Sequence, residues 1–329
     1  MKRASNLFER ICNIQNLHEA YYKAAKSKRL AAEVILFNRN YEQNLEKLRL
    51  SLIDKSYRQG NYRHFMIIDP KERIISAAPF ADRIVHHAII NILEPIFERQ
   101  FIFHTYACRS GKGTHAAARY AFKKAKSGKY FLKLDVQKYF DSIDHFVLKK
   151  SLGRIIKDNR CIELLCGIID SYTVLSANPS LGKQEIKTAD KKGLPIGNLT
   201  SQFFANFYLS GLDHFVLERL KSCGYVRYMD DIVVFENSKE RLKSIFTEIK
   251  NFCSVRLRLS LKVPVFGICK NGVPFLGWNI SCKKIGVLKN TRNRMKKKLD
   301  QIESDFLNGL ATFEKTVERR TAVYAARKV

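Results

Sequence analysis

Residues 225–235 read YVRYMDDIVVF, and two adjacent acids, Asp230 and Asp231, interrupt a run of strand formers. A strand interior disfavours Asp, and neighbouring like charges repel. A hairpin removes both objections. With VRY leading in and IVVF leading out, the acids sit at the tip, where Asp is also ordinary turn chemistry. A third acid points past turn chemistry. YFLKLDV (130–136) is an apolar strand ending at Asp135, and strands of one sheet can bring their ends together. Three convergent carboxylates repel unless cations neutralise them, and clusters of this type hold Mg²⁺ beside substrate phosphates.

The totals agree with a phosphate-handling protein. The 329 residues are 46% hydrophobic and 27% charged, enough for a globular chain with a sizeable core. Against 31 acids stand 59 Lys and Arg, a net charge of +28. Such a field attracts polyanions, nucleic acid first and an anionic membrane second. No apolar run reaches the roughly 18 residues that span a bilayer. The opening MKRASNLFERICNIQ has no signal-peptide core, so the expectation is a cytoplasmic protein without membrane contact. Eight cysteines without a CxxC pair exclude the usual zinc and disulfide frameworks.

Outward from the hairpin, the pattern predicts mostly helix over 1–60, a strand at HFMIID (64–69), and a helix from Ala81 to Glu98. A loop at YACRSGKGTH (106–115) precedes a helix through AAARYAFKKAK. Asp144 reads as the N-cap of a helix at HFVLKKSL. A long helix is predicted over 198–222, closed by Gly224, and another from Lys239 to Phe252. Strands are predicted near VRLRLSL (255–261) and VPFLGWNI (273–280). From about Ile285 the chain turns basic and helical. The alternation β–α–α–ββ–α–β predicts a small sheet with helices on one face.

YMDD between β-formers, an upstream strand Asp followed by YFDSI, and GLPIGNLTSQ (193–202) between them occur in the order of the reverse transcriptase motifs. The resemblance spans roughly residues 64–280. It implies an α+β right-hand polymerase. Residues 1–60 would be a helical extension of the fingers and 61–129 the fingers. Residues 130–284 would be the palm, with a ferredoxin-like antiparallel sheet and the primer grip, and 285–329 a helical, basic thumb.

Carried onto this sequence, the resemblance makes Asp135, Asp230 and Asp231 the catalytic carboxylates. With the Val136 carbonyl they would bind two Mg²⁺ ions, Mn²⁺ being a possible substitute. Phe140 stands at the place of an aromatic gate against a 2′-hydroxyl, or is core packing. Lys71 and Arg73 match residues that hold the incoming triphosphate, or form a plain basic turn. Ile196, Gly197 and Gln202 line the nucleotide-binding motif. Lys262 matches a general acid near the pyrophosphate, or is a solvated lysine. Phe275, Leu276, Gly277 and Trp278 match the primer grip, although Trp278 also suits a core. Arg83, Arg109 and Lys112 match nucleic-acid-binding finger residues. SGKGTH is no Walker loop, because Tyr106 occupies the upstream glycine position. Arg292, Arg294, Lys296, Lys297 and Lys298 would face the template–primer duplex, or form a solvated helix face.

Most bacterial relatives carry QGxxxSP where this chain has Ile196 and Gln202. IGNLTSQ resembles the reverse transcriptases of diversity-generating retroelements, as do DPKERIISA, DRIVHHAI and YACRSGKGTH. That resemblance implies an error-prone enzyme, bacterial or phage-encoded, copying a retroelement template RNA into cDNA for mutagenic retrohoming. Its partners would be template RNA, the cDNA or primer strand, and a basic oligomeric accessory variability determinant. Apolar Ile196 discriminates by shape where Gln would also use polar pairing, so low fidelity is expected. The rivals are another compact bacterial reverse transcriptase, of retron or defence type, and a non-catalytic RNA-binding scaffold.

Overall fold

The structure is a computed structural model that describes residues 3–68, 72–172 and 191–326. In chain order the elements begin with α1 (Phe8–Ile11), α2 (Ile14–Ala25), α3 (Ala32–Asn38) and α4 (Tyr41–Ile53). The hairpin β1 (Arg63–Ile68) and β2 (Glu72–Ala77) follows, then α5 (Phe80–Glu98), α6 (Thr114–Ser127) and β3 (Tyr130–Leu134). Next come α7 (Tyr139–Ser142), α8 (His145–Ile155), α9 (Asn159–Asp170), α10 (Leu199–Tyr208) and α11 (Ser210–His214). The hairpin β4 (Gly224–Tyr228) and β5 (Asp231–Glu236) leads to α12 (Lys239–Leu257). β6 (Val265–Ile268), β7 (Val273–Phe275), β8 (Trp278–Ile280) and β9 (Ile285–Val287) precede α13 (Lys289–Leu307) and α14 (Phe313–Ala325). No helix among the described residues is long and apolar enough to cross a membrane.

The chain divides into two compact units. The first comprises Met1–Ile102, Gln137–His214 and Lys250–Ser260; the second comprises Phe103–Val136, Phe215–Ile249 and Leu261–Val329. The first is built on α5, which buries Ile84, Val85, Ala88, Ile89, Leu93 and Phe97. Their spacing of three and four residues makes a wide apolar stripe. α2 packs against it with Leu17, Ala20, Tyr21 and Ala24, and α10 brings Phe203, Phe204 and Phe207 to ring distances of 5.2–6.4 Å from Phe97. Each Leu, Ile, Val or Phe side chain withdrawn from water here stabilises the unit by about 1.5–3 kcal/mol.

Two acids, buried Asp82 and half-buried Asp158, tie loops to this helical frame. Asp82 accepts from the Tyr57 hydroxyl (2.7 Å), Gln59 Nε2 (2.8 Å) and the Gly60 amide (2.9 Å), which fastens the segment before β1 to α5. Asp158 caps two helices at once. Its Oδ1 accepts from the Cys161 amide at the start of α9, and its Oδ2 from the amides of Leu7 (2.7 Å) and Phe8 (2.8 Å) at α1.

The second unit contains a four-stranded antiparallel sheet in the order β4-β5-β3-β6. That is second, third, first and fourth in chain order, the ferredoxin-like arrangement expected from the sequence. α6 lays Ala117, Ala118, Ala121 and Ala125 against Phe131, Val226, Val233 and Phe235 of the sheet and against Phe275 and Trp278. Small residues on α6 allow close approach. A three-stranded sheet, β7-β8-β9, joins the same core, and α13 packs on α14.

Three local expectations are corrected. VRLRLSL is not a strand: α12 runs to Leu257, Arg258 takes the left-handed conformation (φ 52°), and only Leu261 makes a lone bridge, to Val136. The alternating Leu257 and Leu259 are buried, but they end a helix and start a turn. The edge strand is instead Val265–Ile268. The helix predicted over 198–222 breaks into α10, α11 and a π-helical segment, Phe215–Arg219. Gly224 does not close it but opens β4. A Cβ there would lie 2.9 Å from Lys124 Cδ and 3.2 Å from Phe235 Cβ, so close packing rather than a left-handed turn requires the glycine.

The doubly bonded Asp158 sets a test. Burial works to raise its carboxyl, but the backbone N–H groups of Phe8, Cys161, Leu7 and Arg160 outweigh it and hold the group below its ordinary value. Its stabilisation is therefore complete above the ordinary carboxylate pKa and fades as pH falls below it. Asp158→Ala removes caps from two helices and is expected to cost about 2–3 kcal/mol in urea unfolding at pH 7. The deficit against wild type shrinks in acid.

Candidate active site

β4 and β5 pair from Gly224↔Phe235 to Tyr228↔Asp231, so the loop between them is the two residues Met229 and Asp230. Asp231 is thus the first residue of the returning strand, and Asp230 alone of the two acids lies in the loop. Met229 sits at φ 55°. Two-residue hairpin loops need a positive φ, which glycine adopts freely and methionine only at a cost of about 1–2 kcal/mol.

β3 lies against the other edge of β5 with Leu134 opposite Ile232. One step further places Asp135 beside Asp231 at the same end of neighbouring strands. Side chains alternate between faces, so Lys133, Asp135 and Asp231 share one face. Lys133 Nζ stands 3.4 Å from Asp231 Oδ1. Lys262 holds Asp135 twice, its Nζ donating to Oδ1 (2.6 Å) and its backbone amide to the Asp135 carbonyl (2.9 Å). The lone Val136–Leu261 bridge positions Lys262 for both bonds.

Burial pushes the Asp231 carboxyl up to about 6; Lys133 pulls it back, while Asp135 and Asp230 add to the rise. Hard carboxylate oxygens that repel one another suit a divalent cation, which relieves that repulsion. Among the described residues, no three His, Cys, Asp or Glu side chains already stand gathered for a metal ion. The donor chemistry fits the ion, and Asp135 must exchange its lysine partner to take part.

In the first unit, residues 191–197 are stitched between two neighbours. The Leu194 amide donates to the Phe140 carbonyl and the Gly193 amide to the Ile143 carbonyl, both at 2.9 Å. The His145 amide donates to Lys191 O (3.1 Å) and its ring Nε2 to Gly193 O (2.7 Å). On the other side, the Ser76 amide of β2 donates to Ile196 O at 2.9 Å. Gly197, at φ 113°, packs so tightly that a Cβ would lie 2.9 Å from Ile75 Cγ2. Phe140, Ile196, Gly197 and β2 are therefore gathered in one place. Phe140 and Ile196 remain partly exposed, and Arg73 and Gln202 are exposed. Lys71 lies outside the described residues.

The other expected contacts divide. Phe275 and Trp278 are buried in the second unit's core, and the left-handed pair Leu276 and Gly277 forms the tip of the β7–β8 hairpin. Arg83 pairs with Glu33 and lies over the Phe80 ring. Arg109 Nη1 donates to Thr105 O, and Lys112 donates to Phe103 O with its ammonium 3.3 Å from the Phe103 ring centre. Arg292, Arg294, Lys296, Lys297 and Lys298 are exposed on α13.

Sequence reasoning missed Lys133, His145 and Arg227. The period of two before Asp135 would have flagged Lys133. Arg227, a cation amid apolar strand residues, was visible in VRY; its burial was not.

The raised Asp231 yields a pH prediction. Its carboxyl binds a proton more tightly folded than unfolded, so its charge destabilises the fold as pH rises from the ordinary 3.8 through about 6. Asp231→Asn is expected to raise stability by on the order of 2 kcal/mol at pH 8. Below pH 4 the gain vanishes, as thermal unfolding across pH would register.

Residues 53–280 match the family described as reverse transcriptase (RNA-dependent DNA polymerase). The group II intron-encoded protein LtrA of Lactococcus lactis subsp. cremoris is 24% identical over 79% of this chain. The chain spans about half, 53%, of that relative's length. Protein YkfC of Escherichia coli is 25% identical, with 73% of this chain and 72% of that protein covered. Among solved structures, apo telomerase from Candida tropicalis shares the fold at a TM-score of 0.52 and 14% identity, covering 81% of this chain and 57% of that one. The same telomerase with a fragment of telomeric RNA gives 0.50 at 15% identity, covering 86% and 56%. With the family match across most of its length and a ferredoxin-like sheet carrying the strand-end acids, the chain belongs to the reverse transcriptase (RNA-dependent DNA polymerase) family.

Proposed function

We propose that the chain is an RNA-directed DNA polymerase that makes error-prone cDNA from a retroelement template RNA, as diversity-generating retroelements do in mutagenic retrohoming. The observation that carries the polymerase reading is the register of β3, β5 and β4, which sets Asp135 beside Asp231 and Asp230 in the adjoining turn. Residues 61–129 serve as fingers, 130–284 as palm and 285–329 as thumb in this reading.

Reverse transcriptases generally work with divalent metal ions. Here Asp135, Asp230, Asp231 and the Val136 carbonyl would hold Mg²⁺, which lowers the pKa of an attacking hydroxyl and neutralises phosphate charge. The chain's own residues do the rest. Lys262 carries a proton that it can deliver to the departing pyrophosphate oxygen. Phe140 presents an aromatic edge against a 2′-hydroxyl. Arg73 and Lys71 grip the triphosphate, the arginine through its fork and the lysine as a point charge. The exposed cations of α13 hold the template–primer duplex by its phosphates.

The finer class is supported by Ile196 and Gln202 in IGNLTSQ. With its carbonyl bonded to Ser76, Ile196 offers the nucleotide only an apolar side chain. Partners would be the template RNA, the cDNA or primer strand and a basic accessory variability determinant. The intron-protein relatives support a neighbouring reading, an intron-type enzyme copying its own RNA.

Primer extension on a defined RNA template tests the activity. Asp230→Ala is expected to lower incorporation at least about 100-fold, and equal incorporation by both proteins ends the assignment. Sequencing cDNA made by wild type and Ile196→Gln tests the class. Gln is expected to reduce misincorporation by a few-fold; an unchanged error spectrum removes the fidelity argument and favours the intron-type reading.

A further inference from the structure

Arg227 is among the largest completely buried side chains of the protein. Burying a guanidinium without full compensation is costly, so such a residue persists where its donors are used. Its Nη1 donates to the Met229 carbonyl at 3.0 Å. That carbonyl belongs to the left-handed residue that turns the chain into Asp230. A left-handed methionine persists only where its surroundings over-determine it.

The frame that presents Arg227 is fixed on both edges. On one side it pairs with Ile232 of β5. On the other, its amide donates to His104 O (3.1 Å) and its carbonyl accepts from the Tyr106 amide (3.0 Å), around a parallel bridge with Thr105. Strand alternation puts Arg227 on the face opposite Val226 and Tyr228, the residues that meet the α6 core. The guanidinium therefore reaches the turn from the other face, independently of the packing beneath it.

We propose that Arg227 is the positioning residue of the acidic hairpin: it touches no substrate, but by holding the Met229 carbonyl it fixes the turn that aims Asp230 and Asp231. The proposal deepens the polymerase reading above and rests on it for its catalytic consequence. A carboxylate displaced by about 1 Å costs up to about 100-fold in rate. Loss of Arg227 thus acts on turnover and leaves the binding surfaces intact.

The test uses the full chain with Arg227→Met, which keeps length and apolar stem, and Arg227→Lys, which keeps a cationic donor. Thermal unfolding, primer–template affinity by fluorescence anisotropy, kcat and KM for dNTP, and hydrogen exchange of the 225–235 peptide are measured together. Arg227→Met is expected to lower kcat about tenfold or more, with KM and primer–template affinity within about twofold of wild type. Exchange is expected to accelerate at 229–232 while 130–134 stays protected, and Arg227→Lys to recover part of both losses. If a folded Arg227→Met keeps wild-type turnover and hairpin protection, the proposal is overturned. If it melts early with all peptides exchanging faster, Arg227→Lys decides: native melting with a hairpin that exchanges faster and no loss of kcat also overturns it. Should the hairpin loosen in Arg227→Met while Asp230→Ala retains full incorporation, the polymerase reading falls and the positioning role of Arg227 survives.

Discussion

The second unit depends on the antiparallel register between β3 and β5. Leu134 opposite Ile232 leaves Asp135 and Asp231 as the next residues along, on one face of the sheet. A slip of one residue would turn Asp231 and its strand over and exchange Val233 and Phe235 for Ile232 and Val234 in the packing against α6. The apolar rows Phe131, Val233 and Phe235 lock that register from beneath, because α6 covers them. Core packing thus forces like charges together, and Lys133 and Lys262 offset the repulsion. Burial first, and the neighbouring acids second, still keep the Asp231 carboxyl elevated, a local instability accepted at the site of proposed chemistry.

The first unit solves a different problem with backbone hydrogen bonds. An irregular segment, 191–197, must lie still between α8 and β2 without being a strand. It does so through bonds made by Lys191 O, Gly193 N and O, Leu194 N and Ile196 O, whose partners include the His145 ring and the Ser76 amide. Asp144 anchors the base of this arrangement: it caps α8 through the Val147 amide and accepts from Arg258 Nη1, both at 3.0 Å. Its own amide meets the Tyr208 hydroxyl, which in turn donates to Leu257 O. A hydrogen-bonded network anchored on a buried acid favours one geometry, a requirement for any surface that discriminates shapes.

The positive charge of the chain is not spent uniformly. Arg83, Arg109, Lys112 and Arg227 hold carbonyls, carboxylates or rings of the protein itself. The α13 cations stand exposed, and exposed ion pairs contribute little to stability. Cations that do little for the fold are the ones free to meet a polyanion.

Patterns with a short range were legible in the sequence. Runs of strand formers announced β3, β4 and β5, and helical spacing announced α5 and α6. Asp144 announced its cap, and the order of YFLKLD, GLPIGN and YMDD announced the family. These follow from local periodicity and backbone chemistry, which neighbouring residues control. Only the tertiary structure decided that Leu257 and Leu259 belong to a helix end and a turn, since their alternation fits a strand equally well. It also decided that Gly224 makes room for Lys124, that Trp278 serves a core, and that Arg227 is buried beneath a carbonyl. Those outcomes depend on which atoms arrive from distant parts of the chain, and no local pattern carries that information.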